Sequence, residues 1–227
     1  MRVFTNSAMS ADGKLGTVAQ DHVAIGSRED LRRMQVLRAQ ADAVLVGGQT
    51  FRNWPLPLVE DLRALKAGDP APTRTGPMVN AVLTRRGLLA ARPRAGTWPD
   101  PRVRLLVFGG PGLDAEGHRE RFGAETRCRQ DPDVAWVLDE LEAMGCRSVL
   151  VEGGGDLIFQ VLRTGRLREV YLTVCPKLIG GSRAPTPMDG DGLAVGEIVP
   201  LRLLDVLRLD DEVFLHYEVA PSGRETG

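Results

Sequence analysis

The 227-residue sequence is poor in the residues that most often announce a function. Its three cysteines, Cys128, Cys146 and Cys175, are odd in number and far apart. They form neither a Cys-x-x-Cys pair nor a disulfide framework, which points to a reducing, cytoplasmic setting. The histidines His22, His118 and His216 are too scattered for a metal-ligand spacing, and no metal site is expected. No His-x-Glu with Pro-Cys-x-x-Cys occurs, which excludes a zinc deaminase. No run reaches the ~18 apolar residues of a membrane span, and residues 1–9 read as a strand, not a signal-peptide core. A net charge of −1 gives no pull toward nucleic acid or an anionic membrane surface. Neither nucleic acid nor a membrane is expected as a partner.

What is present is glycine at the ends of apolar runs. In Val149-Leu150-Val151-Glu152-Gly153-Gly154-Gly155-Asp156-Leu157 a β-branched run stops at a carboxylate, passes three glycines and turns helical. In an open α/β sheet ligands sit at the carboxyl ends of buried strands. Glycines there let backbone N–H groups approach a phosphate, and a following helix adds its positive end. The same stretch also reads as a plain strand-to-helix turn.

Strands and helices alternate along the chain. Val3 to Met9 reads as a strand ending at Ser10-Ala11-Asp12-Gly13. Ser27 reads as an N-cap, with Asp30 in the capping position, for a helix over 28–41 whose buried stripe is Leu31, Met34, Leu37 and Ala41. Strands follow at 43–47, 79–83 and 103–108, and residues 53–78 read as an excursion or a short helix in a loop. Asp131-Pro132 opens a helix with Val134, Val137, Leu138 and Leu141 on one face, closed by Gly145. After a strand at 148–152 and a helix over 155–164, the runs 169–175, 201–209 and 212–219 are strands without intervening helices. The pattern predicts one α/β domain over 1–227, its mostly parallel central sheet flanked by helices and finished by an antiparallel C-terminal hairpin.

Three segments carry a resemblance: Ser10-Ala11-Asp12-Gly13-Lys14 after the first strand; Leu37-Arg38-Ala39 through Val46-Gly47-Gly48-Gln49-Thr50; and Val151-Glu152-Gly153-Gly154-Gly155 through Cys175-Pro176-Lys177-Leu178-Ile179-Gly180-Gly181 to Ala184-Pro185. In order and spacing the chain resembles the pyrimidine reductase of riboflavin biosynthesis, a member of the dihydrofolate-reductase-like superfamily. The resemblance implies a homodimer that uses NADPH to reduce the ribosyl group of a phosphorylated 5-phosphoribosylamino-pyrimidine to ribityl. Hydride goes to C1′ of the opened sugar and a proton to its ring oxygen. Without deaminase motifs, this would be a stand-alone reductase.

The resemblance also distributes roles. Glu152 is expected as an acid near hydride transfer or a clamp on substrate hydroxyls, with Lys14 and Asp12 as its catalytic companions. Lys14 would polarise a hydroxyl or hold an anion, and Asp12 with Gly13 would also shape the turn. Gly47, Thr50, Gly153, Gly154 and Gly155 would face the cofactor, with Phe108-Gly109-Gly110 as a further close approach. Thr84 and Arg85 end the third strand where the 2′-phosphate of NADPH would lie, a place that also suits a solvated basic loop. Ser10, Ser27 and Arg38 fall on the substrate side, Arg38 toward the 5′-phosphate. Ser27 reads foremost as a cap, and Lys177 would order its loop.

The pattern departs in two places. Family members continue Asp-x-Pro-x-Leu-x-x-Arg after the threonine element, where this chain has Asn53-Trp54-Pro55-Leu56-Pro57-Leu58-Val59-Glu60-Asp61. The phosphate-binding arginine is then missing unless Arg63 reaches back. Ala24-Ile25-Gly26-Ser27 replaces the usual Trp-Ile-Ser/Thr-Ser. Both departures fall on the substrate side. They keep open a related NADPH reductase of another heterocycle or carbonyl, and a nucleotide-binding module without catalysis.

Overall fold

The computed structural model describes residues 1–19 and 25–220; His22 and Ala24, named above, lie outside them. In chain order the strands are β1 (Arg2–Ser10), β2 (Ala43–Gly47), β3 (Met78–Leu83), β4 (Val103–Gly109), β5 (Glu125–Cys128), β6 (Ser148–Val151), β7 (Leu167–Cys175), β8 (Leu201–Leu209) and β9 (Glu212–Val219). The helices are α1 (Arg28–Ala39), α2 (Gly48–Asn53), α3 (Ala115–Phe122), α4 (Val134–Ala143) and α5 (Gly155–Arg163). Their contacts gather the chain into two compact units, Met1 with Arg32–Gly153, and Arg2–Leu31 with Gly154–Gly227. The expected fold class is present: an α/β chain with mostly parallel strands and an antiparallel C-terminal hairpin.

In the first unit five parallel strands run in the order β5-β4-β3-β2-β6. Strands buried on both faces need continuous apolar sequence, and β2 and β6 supply it in Ala43-Val44-Leu45-Val46 and Val149-Leu150-Val151, all buried. A buried polar residue stands in the middle of β3. Asn80 of β3 is buried, but its Oδ1 accepts from Leu58 N at 2.8 Å and its Nδ2 donates to Leu58 O at 2.8 Å. That exchange meets both ends of the amide and fixes the excursion before β3 to the sheet.

In the second unit β1 pairs in parallel with β7, and β7, β9 and β8 continue antiparallel. Across its face Arg2 and Glu169 form a two-pronged pair, with Tyr171 and His216 also on the Glu169 carboxylate. The Arg2 bond lowers the Glu169 pKa to about 2 against the opposing effect of burial, with His216 and Tyr171 adding to it. Helix α5 buries Leu157, Ile158, Phe159 and Val161, the stripe that its 3.6-residue period requires.

Two boundaries differ from the sequence reading. The α4 cap is Asp133, whose carboxylate accepts from Trp136 N at 2.8 Å, so Pro132 lies outside the helix and Asp131 does not open it. Helix α1 ends at Ala39 and not at Ala41, and within it Leu31 is 53% exposed while Leu37 and Ala39 are buried. Asp30 takes the inward place in the first turn, so close to Gly26 that a Cβ there would lie 2.0 Å from Asp30 Oδ2, and Leu31 is rotated outward. The short α2, α3 and β5 had no periodic apolar signal: α3 buries only His118 and Phe122, and β5 reads Glu-Thr-Arg-Cys.

Replacing the α4 cap, Asp133→Ala, is expected to cost about 1 kcal/mol of stability. Asp131→Ala should stay within ~0.5 kcal/mol of the parent. Urea midpoints measured on the two variants separate these outcomes.

Candidate active site

In the first unit the chain steps from β2 to β3, β4 and β5 in one direction, then returns to place β6 on the other flank of β2. Strand order therefore reverses at β2. The crevice outside the carboxyl ends of strands at such a reversal is where α/β sheets bind ligands. Here the chain leaves β2 through Gly47 into α2, and leaves β6 through Glu152 into the glycines.

Glu152 and Arg38, assigned to different ligand groups from sequence, are joined. Arg38, in the last turn of α1, donates from Nε to Glu152 Oε1 at 2.8 Å and from Nη2 to Glu152 Oε2 at 2.6 Å. Both side chains are largely buried. Burial by itself would lower the Arg38 pKa; the facing Glu152 carboxylate, with Glu60 farther off, outweighs it and raises the value. The fork uses two guanidinium nitrogens and leaves Nη1 for another acceptor.

Beside β2, two glycines serve different ends. Gly48 is held by packing, since a Cβ there would lie 2.4 Å from Thr84 Oγ1. Gly47 faces open space, with nothing within 4 Å of a Cβ, and caps α2 without a side-chain bond. Thr50 occupies the first turn of α2. The buried Thr84 accepts from Arg86 N at 3.2 Å and from Arg52 Nη1 at 3.3 Å. Arg52 also donates to Gly87 O at 3.0 Å and to Gln49 Oε1 at 3.0 Å. Arg85 and Arg86 are exposed, and among the described residues neither pairs with a carboxylate. Burial and then the neighbouring Arg86 push the Arg52 pKa down. Three guanidinium groups without a countercharge make a donor set suited to an anion. Arg52 went unnoticed in the sequence because α2 was not anticipated; its signal is the spacing Gln49, Arg52, Asn53 on one helical face.

In the second unit Asp12 braces a loop. Its Oδ1 accepts from Ser10 Oγ at 2.6 Å and Ile179 N at 3.0 Å, and its Oδ2 from Gly180 N at 2.7 Å. The Ser10 bond, followed by the two amides, lowers its pKa to about 2. Ser10 is fully buried and accepts in turn from Lys14 N at 2.9 Å, so its single proton is committed to Asp12. Lys14 is half-buried, and among the described residues it forms no ion pair and the buried Thr17 Oγ1 meets no hydrogen-bond partner. Ser27 Oγ accepts from Glu29 N and Asp30 N and donates to Glu212 Oε2 at 2.6 Å, so it caps α1 and its proton too is committed. Lys177 Nζ holds Ile25 O at 2.7 Å. Gly154 is exposed and open, whereas a Cβ on Gly155 would lie 2.4 Å from Thr186 O and 2.6 Å from Asp189 N. The chain's own 186–189 segment fills the space at Gly155. Among the described residues no His, Cys, Asp and Glu cluster could hold a metal, and no helix is long and apolar enough to cross a membrane.

Residues 2–215 match the family model of the RibD C-terminal domain. The chain belongs to this family. It is 30% identical, over 96% of its length and 97% of the relative's, to a 2,5-diamino-6-ribosylamino-4(3H)-pyrimidinone 5′-phosphate reductase of Methanothermobacter thermautotrophicus. An Archaeoglobus fulgidus protein of the same name is 30% identical, covering 83% of this chain and 86% of its own. Acinetobacter baumannii RibD shares the fold at a TM-score of 0.74 and 24% identity, covering 96% of this chain and 58% of that one. Against such two-part RibD proteins, the chain spans about half the length.

Arg63 does not reach back: it is exposed and pairs with Asp61 of its own turn at 2.8 Å. Glu60 is buried against Arg74, and Trp54 ends α2 and is 42% exposed.

Removing one partner of a buried pair leaves a charge with neither water nor counterion. Arg38→Met is therefore expected to cost about 3–5 kcal/mol. The double change Arg38→Met with Glu152→Leu should recover most of that loss, and a double-mutant cycle by chemical denaturation measures it.

Proposed function

We propose that residues 1–227 work as a single reductase domain of riboflavin biosynthesis. It reduces the ribosyl group of 2,5-diamino-6-ribosylamino-4(3H)-pyrimidinone 5′-phosphate to ribityl at the expense of NADPH. The observation that carries this reading is the end-to-end match with the Methanothermobacter reductase. NADPH, when bound, supplies the hydride that C1′ of the opened sugar accepts. The residues present fit it. Gly47 and Gly154 leave backbone open where a phosphate can approach, and the uncompensated Arg52, Arg85 and Arg86 suit the 2′-phosphate, with Thr84 ordering their turn. Thr50 offers a hydroxyl in the first turn of α2. Gly153 and Gly155 complete the run, Gly155 by close packing.

Glu152, both of whose oxygens accept from Arg38, holds a sugar hydroxyl through its remaining lone pairs. Arg38 Nη1 remains for the substrate phosphate. Lys14 polarises a sugar oxygen, and Asp12 and Ser10 shape the turn that presents it, while Ser27 acts through the cap of α1. Because Arg63 is turned to Asp61, reduction of another heterocycle or carbonyl is the second reading. The protein is cytoplasmic in this proposal, and a homodimer. Support for the dimer comes from β8, an edge strand with Leu203 and Val206 each 50% exposed.

The purified protein is expected to oxidise NADPH when given the diamino substrate, with its deaminated counterpart and other carbonyl compounds assayed in parallel. Turnover with none of them overturns the enzyme reading and leaves a nucleotide-binding module. Glu152→Gln should bind NADPH as the parent does while kcat falls ~10²–10⁴-fold. In sedimentation the chain should run at twice its own mass, and Leu203→Lys with Val206→Lys should return it to the monomer.

A further inference from the structure

Behind the arginine-bearing turn lies a histidine that the reductase chemistry does not use. His118, on α3, is fully buried. Its Nε2 lies 3.0 Å from Leu88 N, and its Nδ1 lies 3.0 Å from Thr126 Oγ1 on β5. A backbone N–H can only donate, so Nε2 must carry the lone pair and Nδ1 the proton, which it gives to Thr126. The ring is thus a neutral bridge with both nitrogens committed. Burial lowers its pKa, with the nearby Asp114 opposing, which agrees with that state.

The bridge meets the turn where it is tightest. Gly87, one residue before Leu88, has φ +67°, and a Cβ there would lie 2.9 Å from His118 Nε2. Farther along α3, Arg121 donates from Nη1 to Leu89 O at 2.7 Å and from Nη2 to Ala91 O at 2.7 Å. From the other side Arg52 holds Gly87 O and Thr84 Oγ1. Arg85 and Arg86 project from a turn gripped on both flanks. Two exposed like charges on adjacent residues repel, and an unbraced turn would let them separate.

We propose that His118 is a positioning residue: by accepting the Leu88 amide it sets the turn that presents Arg85 and Arg86 to the phosphate of the cofactor. This rests on the reading that the turn receives the 2′-phosphate of NADPH. His118 touches neither cofactor nor substrate. Its effect therefore falls on the affinity for a phosphorylated dinucleotide and not on the chemical step.

The test compares His118→Phe, which keeps an aromatic ring but cannot accept the amide, with His118→Gln, whose side-chain oxygen can. Phe is expected to raise the KM for NADPH about tenfold, the scale of one orphaned buried amide, with kcat and the KM for NADH unchanged. Gln should restore the NADPH value. Amide exchange at Leu88 should quicken in the Phe variant and not in the Gln variant. Should the Phe variant fail to fold, His118→Leu, which also cannot accept the amide, is read in the same way. Equal losses for NADPH and NADH, a fall in kcat alone, or unaltered Leu88 exchange would overturn the proposal. Arg85→Ala together with Arg86→Ala tests the underlying reading separately. If that pair leaves the NADPH KM unchanged while Leu88 exchange still responds to position 118, the phosphate assignment fails and the bracing of the turn stands.

Discussion

Arg38 and Glu152 give up water together, and neither could do so alone. A guanidinium in the last turn of α1 and a carboxylate just past β6 are both largely buried, and each makes the other tolerable. Pairs of this kind add little net stability compared with a well-packed apolar pair, because desolvation offsets most of the attraction. What they contribute is orientation. Two parallel N–H···O bonds of 2.8 and 2.6 Å fix the plane of the carboxylate against the end of a buried strand. A carboxylate held in that way presents its remaining lone pairs in a set direction. The arginine keeps Nη1 for a further acceptor, so phosphate binding and carboxylate orientation are compatible roles for one side chain.

The glycines around the strand ends show why one residue type does not mean one function. Gly48 and Gly155 have neighbours where a Cβ would sit, at 2.4 Å in each case, and serve packing. Gly47 and Gly154 have nothing within 4 Å and leave backbone exposed. In the sequence all of them are punctuation after apolar runs. Only the second pair leaves main chain that a ligand group could approach, so the glycine run overstates how much open backbone there is.

That division explains what could be read from sequence. Strands buried on both faces left continuous apolar runs, so β2, β3, β4 and β6 were legible, as were α4 from its 3.6-residue stripe and α5 from the glycines that bound it. The N-cap Ser27 was legible because a hydroxyl beside helical periodicity has a local meaning. Elements stabilised from a distance were not. Helix α3 carries two buried side chains, and β5 is an edge strand of polar residues. At the site, the types Glu, Arg and Lys and their places after strands were visible, but partners were not. Nothing within ten residues of Arg38 shows that Glu152 will meet it, 114 positions later.

Gathering positive charge is the last constraint, and it links the site to the scaffold. Arg52, Arg85 and Arg86 lie near one turn, and burial, followed by the neighbouring Arg86, lowers the Arg52 pKa. Like charges repel, and the backbone beneath them is bound from both sides: the neutral Thr84 and His118 accept the Arg86 and Leu88 amides, while Arg52 and Arg121 hold the carbonyls of Gly87, Leu89 and Ala91. A neighbouring carboxylate would relieve the repulsion and also fill the place of an incoming anion. Neutral bracing from behind leaves the field intact in front. The uncharged state of a buried histidine and the charge of exposed arginines are thus two sides of one requirement.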